Sequence, residues 1–388
     1  MKHNWLLPEH IEDLLPVEAQ RLEQLRRKLL DLFHSYGYRL VVPPLLEYLE
    51  SLNAGVGHDL DLLTFKVVDQ LSGRLMGIRS DITPQAARID AHRLNQAGVT
   101  RLCYAESVLR TQAEGADQSR QPLQIGAELF GHVGLESDLE IQRLMVQALQ
   151  LAGVRKVLVD FSHVAIFRAL VTRAEVSKDM EGILFAALQA KDVGMLTEIV
   201  AGLDAITRDA LLALPELHGA VDDVLPAAQQ RLPQYAEIKL ALQDIKRAAQ
   251  NLTDTDVEAS VDLAELRGYH YHTGVVFAAY TQGYAGAVAL GGRYDQIGQT
   301  FGRARPATGF SLDLRTLMSL SPLSSLVQGI LAPYLDDATL QEKIATLRAA
   351  GEMVIVDLPG HEQQRAELNC DRMLVNNPSG WEVVPAAI

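Results

Sequence analysis

Cysteine is scarce in this chain. Cys103 and Cys370 are the only two in 388 residues, too few for a disulfide scaffold and in keeping with a reducing, cytoplasmic setting. Cations are outnumbered: 35 Lys and Arg stand against 49 Asp and Glu, a net charge of −14. That balance opposes general binding to nucleic acid, whose backbone rewards Lys and Arg, although it leaves room for a local basic patch. No apolar run is long enough to cross a bilayer, so no membrane is expected. The opening MKHNWLLPEH has neither the apolar core nor the cleavage pattern of a signal peptide. The phosphate loop GxxxxGK[ST], a GxGxxG after a strand, HExxH and CxxC are all missing. The histidines are not spaced with cysteine or carboxylate as zinc requires, and there is no nucleophile elbow. Metal and triad hydrolases are therefore disfavoured, and no cofactor or metal is expected.

What is present is a large apolar fraction, 48%, enough for one large core and a smaller domain. Val17, Leu22, Leu25, Leu29 and Phe33 recur at helical spacing, and Gly37 can end that helix. YRLVVPPLLEY reads as an extended segment, because Pro43 drives Val42 toward β and neither proline can donate to a ladder. TFKVVDQLSGRLMGIRSD reads as a hairpin turning at QLSGR. In TPQAARIDAHRLNQ, Thr83 reads as a helix cap and Pro84 suits the first helical position. RLCYAESVLR and PLQIGAELFGHVG read as strands, followed by a helix over 139–151 and the strand KVLVDF. Residues 165–250 are rich in Ala and Leu, with Pro215, Pro226 and Pro233 as breakers, and read as a wholly helical insertion. EASVDLAELRG, GVVFAAYTQGY and GAVALGGRYDQIG return to antiparallel strands, and ATGFSLDLRTLMSL runs into a helix. Residues 326–388 read as helix, strand, turn and strand, a small α/β appendage to a core over 1–325. The fold class is thus α+β.

One stretch is unusually crowded. In LAELRGYHYHTGVVFAAY, Arg267 and Gly268 precede four polar rings, Tyr269, His270, Tyr271 and His272. That composition suits a pocket for a small polar molecule, or a packed, partly exposed strand. Taken singly, the polar residues have ordinary explanations. Glu128 alone reads as a surface or salt-bridged strand residue. Arg110 and Arg267 more commonly form structural ion pairs, and His270 and His272 simply pack or face water. Gly291 and Gly292 read as a tight turn with φ > 0.

The ordered set of segments resembles the catalytic core of a class II aminoacyl-tRNA synthetase, specifically histidyl-tRNA synthetase, over about Pro8 to Leu320. VVPPLLEY is similar to the first class motif, which contributes to dimerisation. ESVLRTQ through QPLQIGAELFG resembles the second motif and its following strand. ELRGYHYHTGVVF is similar to the histidine signature, and GGRYD and ATGFSLDLRTL stand where the family has its closing strands. The fold this implies is an antiparallel sheet flanked by helices. Within that group the chain resembles the regulatory-subunit family of ATP phosphoribosyltransferase, which keeps the synthetase core and lacks its full anticodon-binding domain.

The departures fall on the nucleotide side. Arg110 matches the second-motif arginine that contacts the activated carboxylate, but the synthetase's aromatic and glutamate are here Thr111 and Gln112. The loop that reads glycine-arginine-x-arginine is here Asp117, Gln118, Ser119 and Arg120. At the arginine position that covers adenine stands Thr316, with Arg315 one residue early, and one residue turns a helical side chain by about 100°. The amino-acid side is better kept. The resemblance places Asp81, Thr83, Gln124 and Glu128 around a bound histidine, Gln124 and Glu128 lying at i and i+4 on one strand face. It places Arg267 on the carboxylate and Tyr271 at the first tyrosine of the signature, while His272 replaces the second. A ligand bonded at both ends would be told apart from apolar amino acids, since leaving those polar groups unpaired is costly.

The resemblance therefore implies a non-catalytic regulatory subunit. It would form homodimers within a hetero-octamer, activate a short catalytic subunit that makes phosphoribosyl-ATP, and transmit inhibition by histidine, without tRNA. The alternatives are a degenerate ligase that still adenylates histidine, and a histidine- or tRNA-binding scaffold without catalysis.

Overall fold

The computed structural model describes residues 5–54, 58–113, 115, 118–252, 255–269, 271–322 and 328–386. The apolar stripe near the N-terminus forms the helix Pro16–Ser35, which buries Leu25, Leu29 and Phe33. Its N-terminal proline lacks only an N–H that a first turn leaves unbonded, and the chain leaves it through Gly37 at φ 81°.

In chain order the strands of the first compact unit, Met1–Pro322, are β1 (Arg39–Leu40), β2 (Leu46–Tyr48), β3 (Phe65–Val68), β4 (Leu75–Ile78), β5 (Thr100–Ser107), β6 (Leu123–Phe130), β7 (Val157–His163), β8 (His218–Ala220), β9 (Val257–Asp262), β10 (Val275–Thr281), β11 (Ala289–Arg293) and β12 (Ala307–Asp313). β3 and β4 form the expected hairpin, extended by β2. The other nine build one sheet in the order β1-β5-β6-β12-β11-β10-β7-β9-β8. Its middle, from β5 to β7, is antiparallel throughout. The margins are not: β1 pairs parallel to β5, and β9 parallel to β7. The expected antiparallel sheet thus forms the middle, and the parallel pairs at its margins make the whole sheet mixed. β9 reaches its place after a long helical crossover, the kind of connection a parallel pair requires.

One face of this sheet carries the main core. Helices Pro16–Ser35, Glu136–Leu151 and Leu314–Leu320 lie against it, and Phe33, Ile125, Leu144, Phe161 and Phe310 are buried there. The segment 165–250 is mostly helical, starting with Val164–Arg173 and ending with Ala236–Gln250. Ser177, Asp192 and Asp204 cap three of its helices with side-chain oxygens, as their short polar side chains favour. Two details differ from the sequence reading. The segment contains β8, which pairs with β9 and ends the sheet. And the helix Val221–Arg231 runs through Pro226 rather than stopping there, at the cost of one intrahelical hydrogen bond. The helices share a single buried cluster with the sheet.

The second unit, Leu323–Ile388, contains β13 (Gly329–Pro333), β14 (Val354–Asp357), β15 (Cys370–Asn377) and β16 (Gly380–Pro385) in the order β14-β13-β15-β16. β13 escaped the sequence reading. It is the strand flanked by parallel partners on both sides, and β15 and β16 close as a hairpin. The helix Ala338–Ala349, capped by Asp337, packs Leu340 and Ile344 against Ile330, Leu374 and Trp381. Among the described residues no helix is long and apolar enough to cross a membrane, and no cluster of metal-ligating side chains occurs.

Candidate functional site

Residues directly opposite in a ladder share a face, so the register locates the site. Ser162 of β7 opposes Val276, Val276 opposes Gly292, Gly292 opposes Gly309, and Gly309 opposes Glu128 of β6. This is one row across five strands, on the face away from the main core. Its glycines keep the floor low. A Cβ on Gly309 would lie 1.7 Å from Glu128 Oε2, and one on Gly292 would lie 2.8 Å from the His272 ring. Gly291 and Gly292 are therefore strand residues required by close packing, not the tight turn that their sequence suggested; neither has a positive φ.

Glu128 is 1% exposed and is the centre of a polar network. Thr83 donates its hydroxyl to Oε1 at 2.9 Å, Tyr104 donates to the same oxygen at 3.0 Å, and Tyr294 donates to Oε2. Burial nevertheless dominates and pushes the Glu128 carboxyl up to about 8, against the downward pull of those donors. Thr83 lies at the start of the helix Thr83–Arg88, and its hydroxyl is spent on Glu128 rather than on capping that helix. Asp81, just before the helix, accepts from the Thr83 N–H through Oδ1 at 3.1 Å. Gln124 joins the two halves, donating to Asp81 at 2.7 Å and accepting from the Ile82 N–H at 3.0 Å. Tyr271 stacks on Tyr294 at 4.9 Å, and its buried hydroxyl has no partner.

The structure thus brings Asp81, Thr83, Gln124, Glu128 and Tyr271 together. The sequence reading missed Tyr104 and Tyr294. Tyr104 opposes Gly126, a glycine that leaves room for its ring, and Tyr294 is the fourth residue of the GGRYD motif. β11 is fastened just before Tyr294 by Arg293, whose buried guanidinium donates to Asp138 at 2.6 and 3.0 Å. His272 lies to one side, edge-on to Tyr271 at 5.2 Å and against Gly268 and Gly292. Burial lowers its pKa to about 4, so the ring is neutral at pH 7. Arg267 is half exposed and turned toward Glu265, at 3.4 Å. His270 lies outside the described residues.

Arg110 belongs to a neighbouring cleft of about 590 Å³ that it lines with Gln118, Gln124, Tyr284, Asp313 and Thr316. Among the described lining residues Arg110 is the one cation. Thr316 donates to Asp313 at 3.1 Å. Arg315 does not line the cleft and reaches Glu12 at 3.5 Å instead. Arg120 is also engaged elsewhere: it donates to the Arg110 carbonyl at 3.2 Å and lies over the Phe65 ring. Asp117, from the same loop, lies outside the described residues.

Comparison with known proteins agrees with this fold. Residues 10–317 match the family model for histidyl-tRNA synthetase, and residues 327–384 match that for the ATP phosphoribosyltransferase subunit HisZ C-terminal domain. The ATP phosphoribosyltransferase regulatory subunit of Methylobacillus flagellatus is 58% identical over 383 residues, covering 99% of both chains. That of Cupriavidus necator is 55% identical over 385 residues, covering 99% of this chain and 100% of the other. A crystal structure described as an ATP phosphoribosyltransferase regulatory subunit/histidyl-tRNA synthetase from Bacillus halodurans superposes with a TM-score of 0.83 at 27% identity, covering 96% of this chain and 98% of that one. The histidyl-tRNA synthetase of Nostoc sp. shares the fold, with a TM-score of 0.78 at 19% identity over 99% of this chain and 97% of that one. With a histidyl-tRNA synthetase-like core joined to a C-terminal unit of the HisZ type, and regulatory subunits more than half identical over nearly its whole length, the chain belongs to the family of ATP phosphoribosyltransferase regulatory subunits.

Proposed function

We propose that this chain is the non-catalytic, histidine-responsive partner of a short ATP phosphoribosyltransferase chain, activating it and transmitting feedback inhibition in the first step of histidine biosynthesis. The observation that carries this reading is the contrast between two adjoining sites. Around Glu128 the acceptors and donors for a small polar amino acid are in place and buried. In the adjoining cleft Arg110 stands beside Asp313, while Arg315 and Arg120 are committed elsewhere. Developing charge on a transferred nucleotide would lack the preorganised partners that adenylation needs. A carboxylate at Glu128 suits an imidazole N–H, Asp81 and Gln124 suit an α-ammonium, and the α-carboxylate is assigned to Arg267, which would exchange Glu265 for it. Histidine would act by preferring one state of the complex over another. No residue of this chain then serves as acid, base or nucleophile in phosphoribosyl transfer.

The test is phosphoribosyl-ATP formation from ATP and phosphoribosyl pyrophosphate. The short catalytic chain is assayed alone, with this chain, and with this chain plus histidine. The expected result is activation on mixing and loss of rate with histidine, with Glu128→Gln retaining activation and losing most of the histidine response. Absence of both complex and rate change overturns the reading, and histidine-dependent pyrophosphate exchange by the isolated chain would instead support a ligase.

A further inference from the structure

The functional face does not end at Gly292. Further along the same row, β7 and β10 floor a second cleft of about 450 Å³. Val276 and Ala278 form its apolar floor with Leu290 of β11. Ser162 and Asp160 of β7 oppose Val276 and Ala278 and line the cleft beside them. The loop Leu263–Thr273 supplies the far wall through Glu265, Arg267 and His272.

Ser162 is 2% exposed, and its hydroxyl has no hydrogen-bond partner. A buried hydroxyl left unpaired is costly, and its cross-strand neighbour on β10 is the apolar Val276. Asp160 uses Oδ1 to accept from the Ser260 hydroxyl at 2.6 Å, which leaves Oδ2 for a ligand. The one guanidinium of the cleft, Arg267, is already paired with Glu265. The lining therefore offers an unpaired hydroxyl beside a carboxylate over an apolar floor, and with Asp160 and Glu265 against Arg267 it carries an excess of negative charge.

We propose that this cleft is a second ligand site, selective for a small organic cation that carries an ammonium or protonated heterocycle on an apolar body. The ammonium would donate to Asp160 Oδ2 and Ser162 Oγ, and a ring or methylene chain would cover Val276, Ala278 and Leu290. Burial raises the Asp160 carboxyl, and a bound cation would oppose that shift. The site is distinct from the Glu128 network, which lies across Gly292 and Gly309 on the same row. It shares the loop Leu263–Thr273 with that network, so occupancy of one cleft would alter the other's affinity, and by the same factor in both directions.

Histamine is the probe, because it has the cation and the ring but no carboxylate. Its binding to the full-length chain is measured by titration calorimetry, with and without saturating histidine. The expected result is saturable binding that Ser162→Ala weakens about tenfold and Asp160→Asn weakens further, while Glu128→Gln leaves it within about twofold. Histidine binding should show the reverse pattern, lost in Glu128→Gln and retained in Ser162→Ala. Histamine binding that is abolished by Glu128→Gln and indifferent to Ser162→Ala would place the cation in the first site and overturn the proposal. So would the absence of saturable binding at millimolar histamine. Because each site has its own variant, failure here is separable from failure of the histidine reading.

Discussion

Glu128 holds a carboxyl where ionisation is expensive, and this makes it the most informative single residue. Its folded pKa of about 8 lies above the ordinary 4.5. Between those values the folded protein keeps a proton that the unfolded chain releases. Stability from this group is therefore complete below about 4.5 and lost as pH rises through about 8. We expect the wild-type urea midpoint to fall between pH 6 and pH 9, and Glu128→Gln to show a flatter profile, the difference being a few kcal/mol at most. Parallel profiles for the two proteins would show that Glu128 is ionised throughout. The same proton governs the ligand. A donor such as an imidazole N–H binds the carboxylate form, so binding below about pH 8 releases a proton. Histidine affinity should then rise with pH from 7 to 8, by up to about tenfold per unit, and an affinity that does not change over that range would show that Glu128 is already ionised.

The elements that carry these residues have their own dependencies. His163, the last residue of β7, caps the helix Val164–Arg173 by accepting from the Ala165 N–H at 3.2 Å. Burial, assisted by Arg168 and Arg293, lowers its pKa to about 3. The ring is thus neutral, and its 3.9 Å approach to Asp244 is not an ion pair. Unfolding lets it protonate, so its contribution is present above pH 6.5 and lost as pH falls toward about 3. His163→Asn keeps a capping acceptor and should unfold at a lower pH in an acid titration followed by circular dichroism, and an unchanged acid midpoint would refute this.

The loop Leu263–Thr273 is held from the helical segment. Arg168 donates to the carbonyls of Tyr269 and His272 at 3.2 and 3.0 Å, and the Tyr269 hydroxyl donates to Glu181 at 2.6 Å. Tyr269→Phe removes the hydroxyl and with it the bond to Glu181, at about 1 kcal/mol. It should weaken histidine binding several-fold while the melting temperature falls by only a few degrees, and unchanged affinity would mean that the Glu181 contact does not position the loop. Much of this was legible beforehand. Period-two spacing put Gln124 and Glu128 on one face, and turn chemistry gave the β3–β4 hairpin. Tyr104 and Tyr294 were not legible, because a tyrosine in an apolar strand reads as core until the register shows a glycine opposite it. The parallel pairing of β7 with β9 was equally hidden, since periodicity records which residues are buried but not the direction from which the chain returns. β8 and β13 were missed for a related reason: β8 is too short to show a period, and β13 is buried enough to lose its alternation.

At the scale of the whole molecule, charge and architecture divide the work. The net charge of −14 leaves little long-range attraction for a polyanion, and tRNA should not be retained by this chain in a gel-shift experiment at 150 mM salt. The chain resolves into two compact units, and every candidate ligand-binding residue lies in the first, within its nine-stranded sheet, the segments that follow β4 and β5, and the loop between β9 and β10. That unit carries its own continuous core, large enough to fold alone. The fragment 1–322 should therefore melt cooperatively and bind histidine within about twofold of the full-length affinity, as judged by calorimetry. A fragment that melts cooperatively yet fails to bind would mean that residues 323–388 complete the site. A fragment that binds normally but no longer activates the short catalytic chain would assign partner recognition to the second unit and effector recognition to the first.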